Sequence, residues 1–331
     1  MSDGPLLRVE QLAKVYPVAH GIFGRHQDVT AVDGVSFAID SGHTLGLVGE
    51  SGCGKSTVAR CLLRLTEPSG GSVRFFGEDV AGFGRGELRR YHRQVQIVFQ
   101  DPSGTLNPRM TVEDLLAEPL RVHGLVTDRL AARRRVHELL ELVGLRREQG
   151  ARYPHEFSGG QRQRISIARV LAVEPRMLIL DEPVASLDVS IAAQILNLLA
   201  DLQEQLGVAY LLISHDLSLV RHVAHQVAVM YLGEIMELGG VDDIFAAPQH
   251  PYTQALLSAV PLPDPTAEQR RRRIRLAGEP PSPLAIPPAC RFHTRCFKAE
   301  SVCSREKPRL QPVAERDHCA SCWFAEPLQV L

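Results

Sequence analysis

The sequence predicts an α/β protein built on a doubly wound, mostly parallel sheet. Strand and helix patterns alternate along residues 44–230. Continuous apolar runs, which are typical of strands buried on both faces, occur at Thr44–Val48, Met177–Leu180 and Ala209–Ile213. A glycine-rich loop at residues 49–57 stands between the first of these runs and a helical pattern. Together these observations predict a nucleotide-binding type of sheet.

The other elements follow from the spacing of apolar residues. Residues 6–16 and 31–39 alternate between apolar and polar side chains and predict two strands. The Gly- and His-containing stretch 17–28 predicts a loop between them. Residues 112–145 are rich in Leu, Glu and Arg and predict helical structure, and Ile191–Leu206 carries the apolar stripe of an amphipathic helix.

Composition limits the class of function. The 331 residues include 37 Lys and Arg against 38 Asp and Glu, so bulk positive charge does not favour nucleic-acid binding. No apolar run approaches the roughly 18 residues that would span a bilayer. The first residues lack the basic and apolar segments of a signal peptide. We therefore expect a cytosolic chain that reaches a membrane only through protein partners.

The glycine-rich loop fits the pattern G-x-x-x-x-G-K-[ST], in which backbone N–H groups surround a phosphate. Its lysine is expected to reach the β- and γ-phosphates of ATP, and Ser56 is expected to ligate Mg²⁺. The helix that follows presents its positive end to the same anion. The predicted nucleotide-binding residues of this loop are Gly49, Glu50, Ser51, Gly52, Cys53, Gly54, Lys55, Ser56 and Thr57.

An acidic pair ends the second apolar run. Asp181 and Glu182 directly follow Met177–Leu180. Beside a phosphate loop, Asp181 can hold Mg²⁺ through its water shell, and Glu182 can polarise the attacking water. The pair therefore predicts hydrolysis of ATP as well as binding.

Further motifs resemble those of the ATP-binding-cassette (ABC) ATPases. The turn Ser158, Gly159, Gly160 and Gln161 matches the family signature, although Phe157 replaces the usual leucine. In family order, the chain also has Tyr16 for adenine stacking, Gln100 of the Q-loop, Asp188 of the D-loop and the switch residue His215. The resemblance implies that Glu182 and His215 are catalytic and that Gln100 joins Ser56 and Asp181 around Mg²⁺. It also implies a P-loop NTPase (RecA-like) cassette with an antiparallel β subdomain and an α-helical subdomain.

Within this family, the chain is similar to the ATPase subunits of oligopeptide and dipeptide importers. The similar stretches are residues 46–57, 105–110, 153–158, 228–233 and 250–261. This resemblance implies an ABC ATPase domain at 1–255, with its helical subdomain at about 101–165, and a small Cys-rich extension at 256–331.

The same resemblance implies the partners. They are a second cassette, either identical or a paralogue, and two transmembrane permease subunits, with an extracytoplasmic substrate-binding protein as an indirect partner. Nucleic acid is not expected as a partner. The chain would then act peripherally at the cytoplasmic face of the plasma (inner) membrane, where ATP hydrolysis energises peptide import. Three alternatives stay open. The first is import of a nickel chelate, glutathione or a sugar, and the second is a soluble ABC protein without transport. The third is a binding or sensing module in which the metal of the C-terminal tail is the function and ATP only regulates.

Five of the seven cysteines lie in the last 42 residues, and four thiolates can hold a [4Fe–4S] cluster or a structural zinc. The gaps in the set Cys290, Cys296, Cys303 and Cys319 do not match the C-x₂-C pairs usual for zinc, and the resemblance favours iron–sulfur. Cys322 could replace Cys319 as the fourth ligand. The alternative is a set of reduced cysteines in a small packed lobe.

A proline-rich stretch at residues 261–288 predicts a linker or irregular extension. It contains the run Arg270–Arg273, which is predicted to be a solvated surface, with contact to anionic lipid headgroups as the alternative.

Overall fold

The computed structural model describes residues 4–20, 25–261, 273–313 and 318–328. The chain divides into two compact units. The first comprises residues 1–39, 44–81 and 213–331, and the second comprises residues 40–43 and 82–212. Residues 270–272 of the predicted arginine surface lie outside the described residues.

The first unit contains a four-stranded antiparallel sheet with the order β2-β1-β4-β5. Its strands are β1 (Leu7–His20), β2 (Arg25–Ile39), β4 (Gly70–Phe75) and β5 (Glu78–Asp79). Leu7 lies opposite Ile39 on one side and Phe75 on the other. The loop predicted at 17–28 is wrong over most of its length. The ladder between β1 and β2 continues as far as the pair His20 and Arg25, because backbone pairing does not depend on the polarity of the side chains.

A second group of strands in this unit begins with β3 (Thr44–Val48), which confirms the predicted strand and is buried throughout. It lies parallel to β9 (Gln226–Tyr231), and β10 (Glu234–Gly240) returns antiparallel to β9. Leu232 and Gly233 join these two strands with φ of 44° and 89°, the backbone twist of a tight hairpin turn. The short strands β11 (Gln311–Pro312) and β12 (Cys319–Ala320) extend the group beyond β10.

Four helices of the first unit are α1 (Lys55–Leu62), α8 (Leu217–Val223), α9 (Val241–Ala246) and α10 (Pro251–Ala259). The helix α8 packs closely against β3. A Cβ atom at Gly46 would lie 2.4 Å from a methyl carbon of Val220, so only glycine allows this approach. The predicted domain boundary at residue 255 falls inside α10 and stays a prediction.

The second unit combines helices with parallel strands. Its strands are β6 (Val95–Val98), β7 (Met177–Asp181) and the first part of β8 (Ala209–Ser214). Residues 209–212 of β8 belong to this unit, and its last two residues belong to the first unit. β7 lies between β8 and β6 and pairs in parallel with β6. Its helices are α2 (Arg85–Gln94), α3 (Pro102–Thr105), α4 (Val112–Val122), α5 (Arg129–Leu142), α6 (Gly159–Leu171) and α7 (Val189–Leu206).

Side-chain caps divide the predicted helical region 112–145 into two helices. The hydroxyl of Thr111 accepts a hydrogen bond from the Asp114 N–H at 3.2 Å where α4 begins. Gly124, with φ of 64°, follows the end of α4, and Asp128 accepts from the Ala131 N–H at 2.8 Å where α5 begins. In the described part of the chain, no helix combines the length and the apolar character needed to cross a membrane.

The C-terminal region, from about residue 256 onward, is packed within the first unit. Two of its buried contacts involve Glu237 and Phe292. The carboxylate of Glu237 accepts from the backbone N–H groups of Gln249 and His250, at 2.7 and 2.9 Å, and lies 2.7 Å from Nε2 of His318. Phe292 is fully buried, with its ring centroid 5.4 Å from that of Tyr231 and 5.3 Å from that of Tyr252.

We therefore predict that Phe292→Ala lowers the free energy of unfolding by about 3–5 kcal/mol, because it leaves a cavity among aromatic rings. Phe297→Ala is the matched control, since that ring is 48% exposed and its loss should change stability by no more than about 0.5 kcal/mol. Chemical denaturation of both variants measures the difference. Equal unfolding midpoints for the two variants would contradict this account of the packing.

Candidate nucleotide site

The loop at residues 49–57 connects β3 to α1 in the first unit, and its glycines are required by close contacts. A Cβ atom at Gly49 would lie 2.1 Å from the carbonyl oxygen of Met230. One at Gly54 would lie 2.2 Å from the carbonyl oxygen of Ala31. Gly52 and Gly54 also have positive φ, at 78° and 110°. The backbone at Gly49 and Gly54 therefore leaves no room for a side chain, and the positive φ of Gly52 favours glycine.

Lys55 lies at the centre of this curl and is 5% exposed. Its ammonium donates hydrogen bonds to the carbonyl oxygens of Gly49 at 2.8 Å and Glu50 at 3.0 Å, and it lies 3.8 Å from the Cys53 sulfur. Ser56 and Thr57 belong to the first turn of α1, the positive end of the helix. The loop thus combines a lysine, a hydroxyl group and a helix N-terminus, a combination suited to a polyphosphate.

Two further candidates belong to the same unit. Tyr16 lies on β1 opposite Val29 and is half-buried, with the Lys14 ammonium 5.0 Å from its ring centroid. His215 directly follows β8 and is exposed. The next turn is fixed by the hydroxyl of Ser214, which accepts from the Asp216 N–H at 3.0 Å.

In the second unit, three candidates lie at the carboxyl ends of neighbouring strands. Gln100 follows β6, and Asp181 and Glu182 end β7. Because β6 and β7 are parallel, these ends share one edge of the sheet, where ligands of such sheets usually bind. Glu182 has φ of 50°, a left-handed conformation that is uncommon for a residue with a side chain and is concentrated at functional sites.

The signature turn precedes α6. Ser158 caps this helix by accepting from the Gln161 N–H at 3.4 Å, and Gln161 accepts in return from the Ser158 N–H at 3.1 Å. A Cβ atom at Gly160 would lie 2.4 Å from a methyl carbon of Ile191, whereas Ser158 and Gly159 are exposed. Asp188 stands at the N-cap of α7. Phe157 is 3% exposed, so the position that departs from the family pattern still holds a buried apolar side chain.

The chain matches two family models. One, described as "ABC transporter", covers residues 32–185, and the other, described as "Oligopeptide/dipeptide transporter, C-terminal region", covers residues 236–303. The chain is 48% identical over 319 residues to the oligopeptide transport ATP-binding protein AppF of Bacillus subtilis, covering 96% of each chain. It belongs to the ABC transporter family of ATPases.

Other relatives support the same family. The dipeptide transport ATP-binding protein DppF of Escherichia coli is 48% identical over 307 residues, which are 93% of this chain and 91% of that protein. Among solved structures, CbiO1 from Clostridium perfringens, part of the ABC transporter complex CbiONQ, matches with a TM-score of 0.63 and 28% identity, over 73% of this chain and 91% of that one. The ADP- and phosphate-bound dimer of the cassette MJ0796, in a post-hydrolysis state, matches with a TM-score of 0.63 and 26% identity, over 71% and 98%. The predicted ABC cassette with mixed α/β sheets is thereby confirmed.

The metal site predicted in this ABC ATPase from Cys290, Cys296, Cys303 and Cys319 is not supported. Among the described residues, which include these four, no group of three or more His, Cys, Asp or Glu side chains is arranged to hold a metal ion. Cys319 belongs to the strand β12, where it lies opposite Leu238 and Pro312.

The other four C-terminal thiols interact electrostatically with one another. Burial, followed by the nearby Cys303 and Cys322, raises the pKa of the Cys290 thiol to about 11. Burial, followed by the nearby Cys322, Cys290 and Cys303, raises the pKa of the Cys296 thiol to about 11 as well. With pKa values this high, both thiols are protonated near neutral pH.

Two contacts to the phosphate loop were not predicted from the sequence. The phenol oxygen of Tyr252 accepts a hydrogen bond from the Glu50 N–H at 3.0 Å. The guanidinium of Arg295 donates to both carboxylate oxygens of Glu50, at 2.8 and 3.1 Å. The residues that meet here are 202 and 245 positions apart, so no local pattern could indicate the contacts.

We predict that Gly49→Ala displaces the loop and reduces ATP turnover roughly 100-fold, as a misplacement of about 1 Å can do. Gly77→Ala is the matched control, because its φ of 83° carries similar backbone strain but no atom lies within 4 Å of the added carbon. Steady-state phosphate release from the assembled transporter compares the two variants. Normal turnover by Gly49→Ala would show that the contact with Met230 does not position the loop.

Proposed function

We propose that this ABC ATPase is the ATP-hydrolysing subunit that energises import of dipeptides and oligopeptides, acting peripherally at the cytoplasmic face of the plasma membrane. The observation that carries the proposal is 48% identity, over nearly the whole chain, to proteins named for oligopeptide and dipeptide transport. The second family model, named for the C-terminal region of such transporters, supports the same conclusion.

In the proposed site, residues 49–57 bind the phosphates of ATP. The glycines let the backbone curl around the anion, and Lys55 supplies the positive charge at the centre of the loop. Tyr16 stacks on adenine, a role that its half-buried place on β1 permits. Gln100, Asp188 and the turn Ser158–Gln161 complete the set of nucleotide-binding residues.

Magnesium would be held by oxygen atoms of Ser56, Gln100 and Asp181, and it would neutralise charge that develops on the phosphates. The residues fit this ion, because hydroxyl, amide and carboxylate oxygens are the ligands that Mg²⁺ prefers. Two of them, Gln100 and Asp181, follow adjacent parallel strands at one edge of the sheet. The proposed cycle uses no metal at the C-terminal cysteines.

Glu182 is the proposed general base. It directly follows β7, and its left-handed backbone, at φ of 50°, turns the chain at the end of that strand. There it would polarise the attacking water, while His215 would contact the γ-phosphate and hold the site in its reactive arrangement.

The complete ATP site requires a second cassette, identical or a paralogue. The exposed Ser158 and Gly159 begin the 13-residue helix α6, so their end of the helix dipole is available to a nucleotide on the partner. The dimeric state of the solved cassette MJ0796 supports this arrangement. Two permease subunits would receive the motion of the dimer, and an extracytoplasmic binding protein would deliver the substrate to them.

Glu182→Gln should lower ATP turnover by a factor of roughly 100 or more, while ATP binding is retained, because the amide cannot accept the proton of water. Glu204→Gln, on the exposed face of α7, is the matched control. Phosphate release and nucleotide binding by the assembled transporter measure the two effects. If turnover by Glu182→Gln stays at the control level, Glu182 is not the general base.

We also predict that peptides stimulate the ATPase of the transporter reconstituted with its permeases and binding protein. Di- to pentapeptides, a nickel chelate, glutathione and a disaccharide are compared at equal concentration. Stimulation by peptides alone supports the proposed substrate class. Stimulation only by another solute would keep the importer assignment and replace the substrate, and ATPase activity without any membrane partner bound would favour a soluble ABC protein.

A further inference from the structure

Glu50 is the second residue of the phosphate loop, and its N–H, carbonyl and carboxylate groups all form hydrogen bonds. Its N–H donates to the phenol oxygen of Tyr252, and its carbonyl oxygen accepts from the Lys55 ammonium. Its carboxylate accepts from Arg295 at 2.8 and 3.1 Å. One residue thus connects the lysine of the loop to two side chains from the C-terminal part of the chain. Any displacement of Glu50 moves a carbonyl group that orients Lys55.

Arg295 is itself held in place by burial. Its side chain is 8% exposed, and Nη1 lies 3.4 Å from the Tyr231 phenol oxygen. The guanidinium carbon lies 5.9 Å from the Tyr231 ring centroid, within the range of a cation–π contact. The backbone N–H of Arg295 donates to the carbonyl oxygen of Phe292, which is anchored among aromatic rings. A buried guanidinium of this kind requires its carboxylate partner.

The charge of Glu50 reaches the interior of the phosphate loop. Burial raises the pKa of the Cys53 thiol; the Lys55 ammonium opposes this increase, and the Glu50 carboxylate adds to it. Without Arg295, the carboxylate would present an uncompensated negative charge beside a loop that must accept a polyphosphate. The repulsion would be greater for ATP than for ADP, because ATP carries one more negative charge.

We propose that Arg295 is a positioning residue of the nucleotide site, through which the C-terminal region sets the affinity of the loop for nucleoside triphosphates. Arg295 fixes the carboxylate of Glu50, keeps the Glu50 carbonyl directed at Lys55, and cancels the negative charge of the loop. This inference rests on the proposed assignment of residues 49–57 to ATP.

The test is a titration of the full-length chain with a fluorescent ATP analogue and its ADP counterpart. Arg295→Met should raise the Kd for ATP about tenfold, a coupling of about 1.4 kcal/mol, and should raise the Kd for ADP less. Adding Glu50→Gln to Arg295→Met should restore most of the ATP affinity, because it removes the unpaired charge. In the assembled transporter, Arg295→Met should raise KM for ATP more than it lowers kcat.

Arg305→Met is the matched control, since Arg305 lies in the same region and its exposed side chain donates to Ser301 rather than to the phosphate loop. The proposal is overturned if Arg295→Met binds ATP within twofold of this control, or if Glu50→Gln fails to rescue it. If Arg295→Met does not fold, Glu50→Gln alone tests the charge balance. Its Kd for ATP should fall, because a positive charge is left in excess, and a rise would overturn the proposal.

Lys55→Ala separates this inference from the proposed function. If Lys55→Ala binds ATP as the wild type does, residues 49–57 are not the nucleotide site, and both proposals fail. If Lys55→Ala loses binding while Arg295→Met keeps it, only the role of Arg295 is wrong.

Discussion

The close approach of the phosphate loop to the backbone beneath it governs the arrangement of the first unit. At Gly49 and Gly54, carbonyl oxygens of Met230 and Ala31 occupy the space where a Cβ atom would stand. The loop can therefore lie only where β9 and β2 place those carbonyls. The backbone N–H of Gly233 adds a hydrogen bond to the Cys53 carbonyl at 2.8 Å, so the hairpin turn after β9 also holds the loop. An ATP-binding element that looks local in the sequence is thus positioned by distant backbone.

The C-terminal region continues this pattern of support. Its anchors are a buried carboxylate that accepts two backbone N–H groups and an aromatic ring enclosed by two tyrosines. Glu237 is fully buried, which is stable only because donors from Gln249, His250 and His318 satisfy it. Both anchors lie within the first unit, and so do Arg295 and the phosphate loop that it contacts. The region that the family model places beyond the cassette is therefore part of the same packed body as the phosphate loop.

Much of the fold was predictable because its central strands are continuous apolar runs. Residues 44–48, 177–181 and 209–214 form strands close to the predicted bounds, and α7 follows its apolar stripe. Residues 17–20 and 25–28 depart from the predicted loop, since glycine and histidine suggest a turn where backbone pairing extends the strands. The nucleotide motifs were visible because phosphate chemistry fixes glycine, lysine and acid at set spacings. The thiol arrangement and the Arg295 contact depend on the packing of distant segments, and spacing along the chain carries no information about either.

The contact between Glu50 and Arg295 constrains how these two positions can change during evolution. Two residues 245 positions apart share one buried charge balance, so neither can change sign or lose its charge without cost to the other. The two positions should therefore vary together among relatives that possess this C-terminal region. Cassettes that lack the region would be free to place an uncharged residue at the second position of the loop. An acidic residue at the second position of the ATP motif would then indicate that the chain also carries this C-terminal region.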